Sequence, residues 1–369
     1  MSCLHNIKHH LLICIYLGIV SFSSLVYAAD TSEKWPSSKI CNLENFVDHK
    51  KQGLSSNSSG ITYQKMKSNK MGHLWIVKNS PSKLFKMELD NNTCEYVNIN
   101  SGSWSCDNNK GGCGKELRYK YEEGNPDTEG VTFASWENES VFVASEGKKR
   151  LKVLRYDVSD SIDKTLFATH EWDLTDDILK DFKGTIKTNK GLEAITWVPD
   201  ESLTKYKFWN SDCNRVYNPN DYDPHYGGLF FVGLERNIEN KKNSTYIYMF
   251  ALMEDGSHKR VARIDTGWNV IVGLEYDRNN DLLWANCDDD CTSKNQLKVF
   301  KIVTNANNQN TFEIFKTYEP PKNLDKKRNY EGIAFYPQPL CHSGINNFFW
   351  VDDGGKDGQV IAQHSFQCD

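Results

Sequence analysis

Apolar and polar residues alternate along most of this chain in short runs separated by turns rich in Gly, Asn, Asp and Ser. Leu84-Phe85-Lys86-Met87-Glu88-Leu89 alternates as a half-buried strand does, and Leu74-Trp75-Ile76-Val77 is an unbroken apolar run of the length a fully covered strand needs. Ser80-Pro81-Ser82 supplies the turn between them, and Cys94-Glu95-Tyr96-Val97-Asn98-Ile99 follows as a further strand. With Ser59-Gly60-Ile61-Thr62-Tyr63 ahead of them, these runs predict a four-stranded meander.

The same order recurs. A second unit runs through Val141-Phe142-Val143-Ala144, Leu151-Lys152-Val153-Leu154-Arg155-Tyr156 and a strand near 170–174. A third has Leu229-Phe230-Phe231-Val232, Tyr246-Ile247-Tyr248-Met249-Phe250 and Arg260-Val261-Ala262-Arg263-Ile264. A fourth has Leu282-Leu283-Trp284-Ala285, Leu297-Lys298-Val299-Phe300 and Phe312-Glu313-Ile314-Phe315; a fifth has Phe348-Phe349-Trp350-Val351 and Gln359-Val360-Ile361-Ala362. Each opens on one motif: a small or acidic residue, Gly or Ala, an aliphatic residue, a spacer and an aromatic. The copies are Ser59-Gly60-Ile61-Thr62-Tyr63, Glu129-Gly130-Val131-Thr132-Phe133, Glu193-Ala194-Ile195-Thr196-Trp197, Glu331-Gly332-Ile333-Ala334-Phe335 and, more loosely, Val272-Gly273-Leu274-Glu275-Tyr276. A single meander cannot cover both of its faces, whereas five in a ring do so and leave only short edges. The expected fold is all-β: a five-bladed β-propeller with four-stranded antiparallel blades, the alternative being a double β-sandwich. Insertions are expected at residues 180–190 and 200–226, and a strand at 40–46 is expected to complete the last blade.

Composition narrows the setting. Charged residues at 25%, hydrophobic ones at 38% and a net charge of −5 fit a folded soluble chain, and the scattered lysines form no stripe for nucleic acid. At the N-terminus Lys8, His9 and His10 precede an apolar run over residues 11–26 and then Val26-Tyr27-Ala28, the pattern of a secretory signal cleaved near residue 28; an uncleaved anchor is the competing reading. The expected organisation is therefore a signal over 1–28 and one propeller domain over 29–369, secreted to the extracellular space, with no membrane association after signal removal. Sequons at Asn57, Asn91, Asn138 and Asn243 suit N-linked glycans. Nine cysteines follow residue 28, an odd number, and their spacing leaves the pairing open: Cys41 or Cys341 with Cys368, Cys106 near Cys113, Cys287 near Cys291.

In a propeller the first strand of each blade lines the axis, so the first motif position from every blade makes a ring: Ser59, Glu129, Glu193, Val272 and Glu331. Carboxylates converging on a narrow axis repel unless a cation sits among them, and oxygen-only ligands suit calcium first and magnesium second. Glu275 stands three residues beyond the ring position, an offset that turns it away from the ring. A second acidic series follows the second strand of the blades: Glu146, Glu235, Asp288 and, one residue earlier, Asp353. Arg236 beside Glu235 is the cation placed to meet an anion. Glu146, Glu235, Asp288 and Arg236 are thus the candidate catalytic groups. No Gly-x-Ser-x-Gly elbow, phosphate loop or His-Glu-x-x-His occurs.

The repeated openings, with Gly191-Leu192-Glu193-Ala194-Ile195 and Tyr330-Glu331-Gly332-Ile333-Ala334-Phe335, resemble the SdiA-regulated and esterase-like phytase group of propellers over most of the mature chain. A more distant similarity is to the calcium-activated nucleotidases, the secreted apyrases, whose five blades hold a central calcium with glutamates and serines at the starts of inner strands. The resemblance implies a calcium ion held by Ser59, Glu129, Glu193 and Glu331. Val272 departs from that pattern, and Gly233-Leu234-Glu235-Arg236 carries one arginine where apyrases have a basic segment. The functional expectation is a secreted calcium-binding propeller that acts on or binds a phosphorylated or anionic small molecule, as a phosphoester hydrolase. The alternative is a non-catalytic extracellular matrix or ligand-binding propeller with a structural calcium.

Overall fold

The computed structural model describes residues 32–35, 54, 56–66, 72–90, 95–99, 102–105, 113–135, 139–159, 163–182, 191–235, 245–288, 291, 295–321, 328–336, 345–354 and 360–367. The expected signal, the strand at 40–46, Arg236, three of the sequons (Asn91, Asn138, Asn243) and Cys41, Cys94, Cys106, Cys341 and Cys368 lie outside these residues. Among the described residues no helix is long and apolar enough to cross a membrane.

The chain folds as a five-bladed β-propeller of four-stranded antiparallel blades. The inner strands are Ser58–Gln64, Thr128–Thr132, Leu192–Pro199, Gly273–Asp277 and Tyr330–Phe335. Each pairs with the strand that follows it: His73–Lys78, Ser140–Ser145, Gly228–Leu234, Leu282–Cys287 and Ile345–Asp352. Blades two, three and four complete four strands in simple sequential order; blade five shows three among the described residues. In blade one the third strand, Lys83–Asp90, is flanked by Glu95–Asn98 at one end and Lys115–Arg118 at the other. The latter pairs in parallel with Thr165–Phe167, which belongs to the segment between the outer strands of blade two.

Closure is visible in the packing. The five inner strands touch in a cycle, one to two, two to three, three to four, four to five and five back to one. The buried apolar residues fall into five clusters, one per blade interface, as expected for sheets apolar on both faces. Trp75 and Phe133 meet between blades one and two, Phe142 and Phe230 between two and three, and Trp284 and Phe348 between four and five. Burying side chains of this size contributes about 1.5–3 kcal/mol each.

The described N-terminal residues 32–35 dock on blade four. Glu33 bridges in parallel to Tyr318 on the outer strand of blade four, with Glu33 N–H donating to Thr317 O at 2.8 Å. Trp35 then inserts between blades four and five against Tyr318, Phe348 and Trp350, its indole N–H donating to Ser365 O. The expected insertion at 200–226 folds into a short helix, Asp200–Lys205, and a two-residue hairpin, Trp209–Asn210 with Arg215–Val216. It is anchored on blade four by Asp281, whose carboxylate accepts from Ser202, Lys205, Tyr206 and Tyr276. A disulfide joins Cys287 and Cys291, and Cys113 and Cys213 are also disulfide-bonded.

Candidate cation site on the propeller axis

Four of the five ring residues sit in a bulge. Register slips between Ser58 and Gly60, between Thr128 and Val131, between Leu192 and Ala194, and between Tyr330 and Ile333, so that one extra residue is inserted at Ser59, at Glu129-Gly130, at Glu193 and at Glu331-Gly332. A bulge re-aims the side chain it carries, and here it does so at the same level in successive blades. Blade four follows suit at its strand start, where Val272 N–H donates to Asn286 O although Asn286 also opposes Gly273.

A repeated main-chain bond fixes a second tier. The residue after the second strand donates its N–H to the carbonyl two positions before the ring residue. These bonds run from Asn79 to Asn57 O, Glu146 to Asp127 O, Glu235 to Gly191 O and Asp353 to Asn329 O, at 2.9 to 3.1 Å. Asp353 therefore occupies the same place as Glu146 and Glu235, and the one-residue offset expected from sequence vanishes once the bulges are counted. Blade one fills this position with Asn79.

The structure brings the predicted residues together. Glu129, Glu193 and Glu146 are buried, as is Ser59 at 1% exposure, and Asp288 stands at 9%. Ligand-type oxygens of Asp127, Glu129 and Glu146 lie within 4.8 Å of one another, and so do those of Glu146, Glu193 and Glu235. Burial raises the Glu129 carboxyl well above its ordinary pKa, and Glu146 and Asp127 add to the rise. For Glu193 burial comes first, then the charges of Glu129, Glu146, Glu331 and Glu235. For Glu331 burial is followed by Asp353, Glu129 and Asp288. The Ser59 hydroxyl lies close enough to temper both Glu129 and Glu331, yet its oxygen is buried without a hydrogen bond of good geometry. Glu331 Oε1 accepts from Asn329 Nδ2 at 2.8 Å, while its Oε2 is buried with no such donor.

Sequence reasoning missed four contributors: Asn79, Asp127, Asn329 and Lys78. Asp127 and Asn329 stand two residues before ring glutamates, just ahead of the inner strands whose bulges carry those glutamates. Lys78 is buried, and Asp353 partly offsets the fall in its pKa that burial and Lys83 impose. Glu275 joins neither acidic group. Its carboxyl is pushed up to about 8 by burial, with Arg278 opposing and Asp277 adding to the rise.

Below the ring the axis narrows to a cavity of about 10 Å³ between the small residues Gly60, Gly130, Ala194, Gly273 and Gly332. At the far end of the inner strands, Arg278 of blade four crosses to blade two, donating to Phe133 O at 2.7 Å. Its guanidinium lies 4.6 Å from the ring centre of Trp197 in blade three.

These oxygens fit a hard divalent cation. The donor set is carboxylates plus a hydroxyl, and two of its buried oxygens have no hydrogen-bond donor. Without a cation, burial and mutual repulsion raise the carboxyl pKa values. Because their folded pKa values lie above the unfolded ones, they contribute stability that is complete below about pH 4.3, the unfolded value, and is lost as pH rises through the folded values. Thermal melts of cation-free protein should therefore fall in midpoint from pH 5 to pH 8, and the Glu275→Gln variant should flatten that fall. A midpoint that rises across this window would contradict the buried carboxyl cluster.

Solved structures match the chain at low identity and low TM-score. A fructofuranosidase variant from Schwanniomyces occidentalis in complex with fructosylnystose is 10% identical with a TM-score of 0.43. The match covers 92% of this chain and 60% of that one, so this chain spans about three-fifths of the enzyme's length. The periplasmic gluconolactonase of Pseudomonas aeruginosa is 12% identical with a TM-score of 0.30, covering 80% of this chain and 67% of that one. A Lactobacillus plantarum protein is 8% identical with a TM-score of 0.31, covering 85% and 67%. No curated protein matches the chain. Residues 57–339, which hold every ring position, match the family described as phytase-like, esterase-like activity of phytase, and the chain belongs to that family.

Proposed function

We propose that this protein is a secreted calcium-dependent hydrolase of phosphorylated or otherwise anionic small molecules, working at the acidic mouth of the propeller axis. The observation that carries the reading is the convergence of Glu129 and Glu331 on Ser59, whose buried oxygen has no hydrogen bond of good geometry, with Glu193 among the same carboxylates. The family description favours an esterase-type reaction. Calcium suits the all-oxygen donor set, and secretion suits both calcium supply and the disulfides.

Ser59, Glu129, Glu193 and Glu331 would hold the ion. Bound there, calcium would neutralise and polarise a phosphoryl group. The remaining steps belong to the chain. Lys78, at the blade one side of the mouth beside Asp353, offers a positive charge to an anion entering over the ring. Glu235 and Asp288, which follow the second strands of blades three and four, would take a proton from an attacking water. Arg236 follows Glu235 in sequence and would add a second cation. The close packing of Gly60, Gly130 and Gly332 against neighbouring backbone keeps the axis beneath the ion too narrow for substrate, so chemistry is confined to the mouth.

The test is a turnover screen of the purified protein on phytate, nucleoside diphosphates and simple phosphoesters, with and without a chelator. Calcium-restored hydrolysis of at least one class is expected. Absence of calcium-dependent turnover on all of them, with calcium still bound, would leave the ion as a stiffener of the ring in a non-catalytic ligand-binding propeller.

A further inference from the structure

We infer that the mouth holds a second divalent cation beside the axial one, between blades one and two, at Asp127, Glu129, Glu146 and Asn79 Oδ1. This rests on the axial-cation reading and adds to it. Calcium–oxygen distances of about 2.3–2.6 Å place the ligands of one ion within about 5 Å of each other. Oxygens of Asp127, Glu129 and Glu146 meet that condition, lying within 4.8 Å of one another, and Glu331 is not among them. The axial ion, reached by Ser59 and Glu331, would therefore be a neighbouring centre, with Glu129 shared between the two.

Independent signs of a ligand come from the uncharged side of the site. The Ser59 oxygen, 1% exposed, beside Glu129 and without a hydrogen bond of good geometry, marks the edge shared with the axial centre. Asn79 Oδ1 is likewise a buried oxygen with no hydrogen-bond donor, on a side chain that reaches Glu129. A carbonyl oxygen left without a donor beside carboxylates is costly unless a cation takes it. The arrangement is also held in place from outside. Glu146 N–H donates to Asp127 O at 3.1 Å, and Asn79 N–H to Asn57 O at 2.9 Å, so the main chain aligns both sides before any ion arrives. Gly191 packs against Glu146 so closely that a β-carbon there would fall 2.8 Å from the Glu146 carboxylate.

Glu146 also lies within 4.8 Å of Glu193 and Glu235, so replacing it would touch the axial side as well. Asp127 and Asn79 are the selective positions. Calorimetric titration of the full chain with calcium chloride, cross-checked by equilibrium dialysis, should give two ions per chain for the unaltered protein. The Asp127→Asn/Asn79→Ser variant should give one. One ion in the unaltered protein would overturn the second centre and leave the axial reading intact; two ions retained in the variant would overturn these ligands. No binding at all would overturn the axial reading too. The count on the unaltered protein needs no variant to fold.

Discussion

Glu193→Gln should change the melting temperature in opposite directions according to whether calcium is present. At pH 8 the cation-free variant should melt higher than the unaltered protein, because the substitution removes a buried charge that Glu129, Glu146, Glu331 and Glu235 all oppose. With calcium in hundredfold excess over its dissociation constant, binding adds about 2.7 kcal/mol to the unaltered protein, a few degrees for a chain of this length. The variant, short of one ligand, should lose much of that gain and melt lower. At pH 5 the cation-free difference should shrink, since the carboxyl there already carries its proton. Scanning calorimetry at two pH values with and without chelator reads all four states. A variant that melts lower in every one of them would mean that Glu193 only packs the ring.

Gly60→Ala should be among the most damaging single substitutions in the inner ring. A β-carbon at residue 60 would lie 2.3 Å from Glu129 O and 2.8 Å from Gly130 Cα, both backbone atoms of the next blade. Backbone cannot rotate aside as a side chain can, so blades one and two would have to part along the axis. A loss of about 3 kcal/mol or more is expected, the upper range for overpacking. Blade three supplies a control. Ala194 stands at the same motif position, so its neighbour already accommodates a methyl group, and Ala194→Gly should cost only about 1 kcal/mol, largely through backbone entropy. Urea unfolding of both variants measures the contrast; equal small losses would show that the inner strands are not in close contact.

The blades were legible because their strands announce themselves twice, by alternation and by the recurring opening motif. Recurrence likewise gave Ser59, Glu129, Glu193 and Glu331 their common level. What escaped notice followed from aligning by residue type. Blade one ends its second strand with Lys78-Asn79, so a search for acids passed over Asn79, although the main-chain bond to Asn57 places it with Glu146 and Glu235. Asp127 and Asn329 precede the motif by two positions, and their contribution depends on a bulge that spacing alone does not reveal. The same bulges explain why Asp353 looked one residue early. The helices Thr175–Leu179 and Asp200–Lys205 are too short to show a helical period. The Cys287–Cys291 bond closes the loop that carries Asp288 beside Glu331, a pairing that cysteine counting had left open.

Arg278 gives the axis a direction. By reaching from blade four to the Phe133 carbonyl and the Trp197 ring, it closes the end opposite the carboxylates, and its guanidinium is itself held at a pKa of about 10 by burial, with Glu275 opposing the fall. A tube with one stopper is a cul-de-sac. Solutes must arrive and depart through the same opening, at the carboxylate end. Long polymers could present only an end or a side group, never thread through.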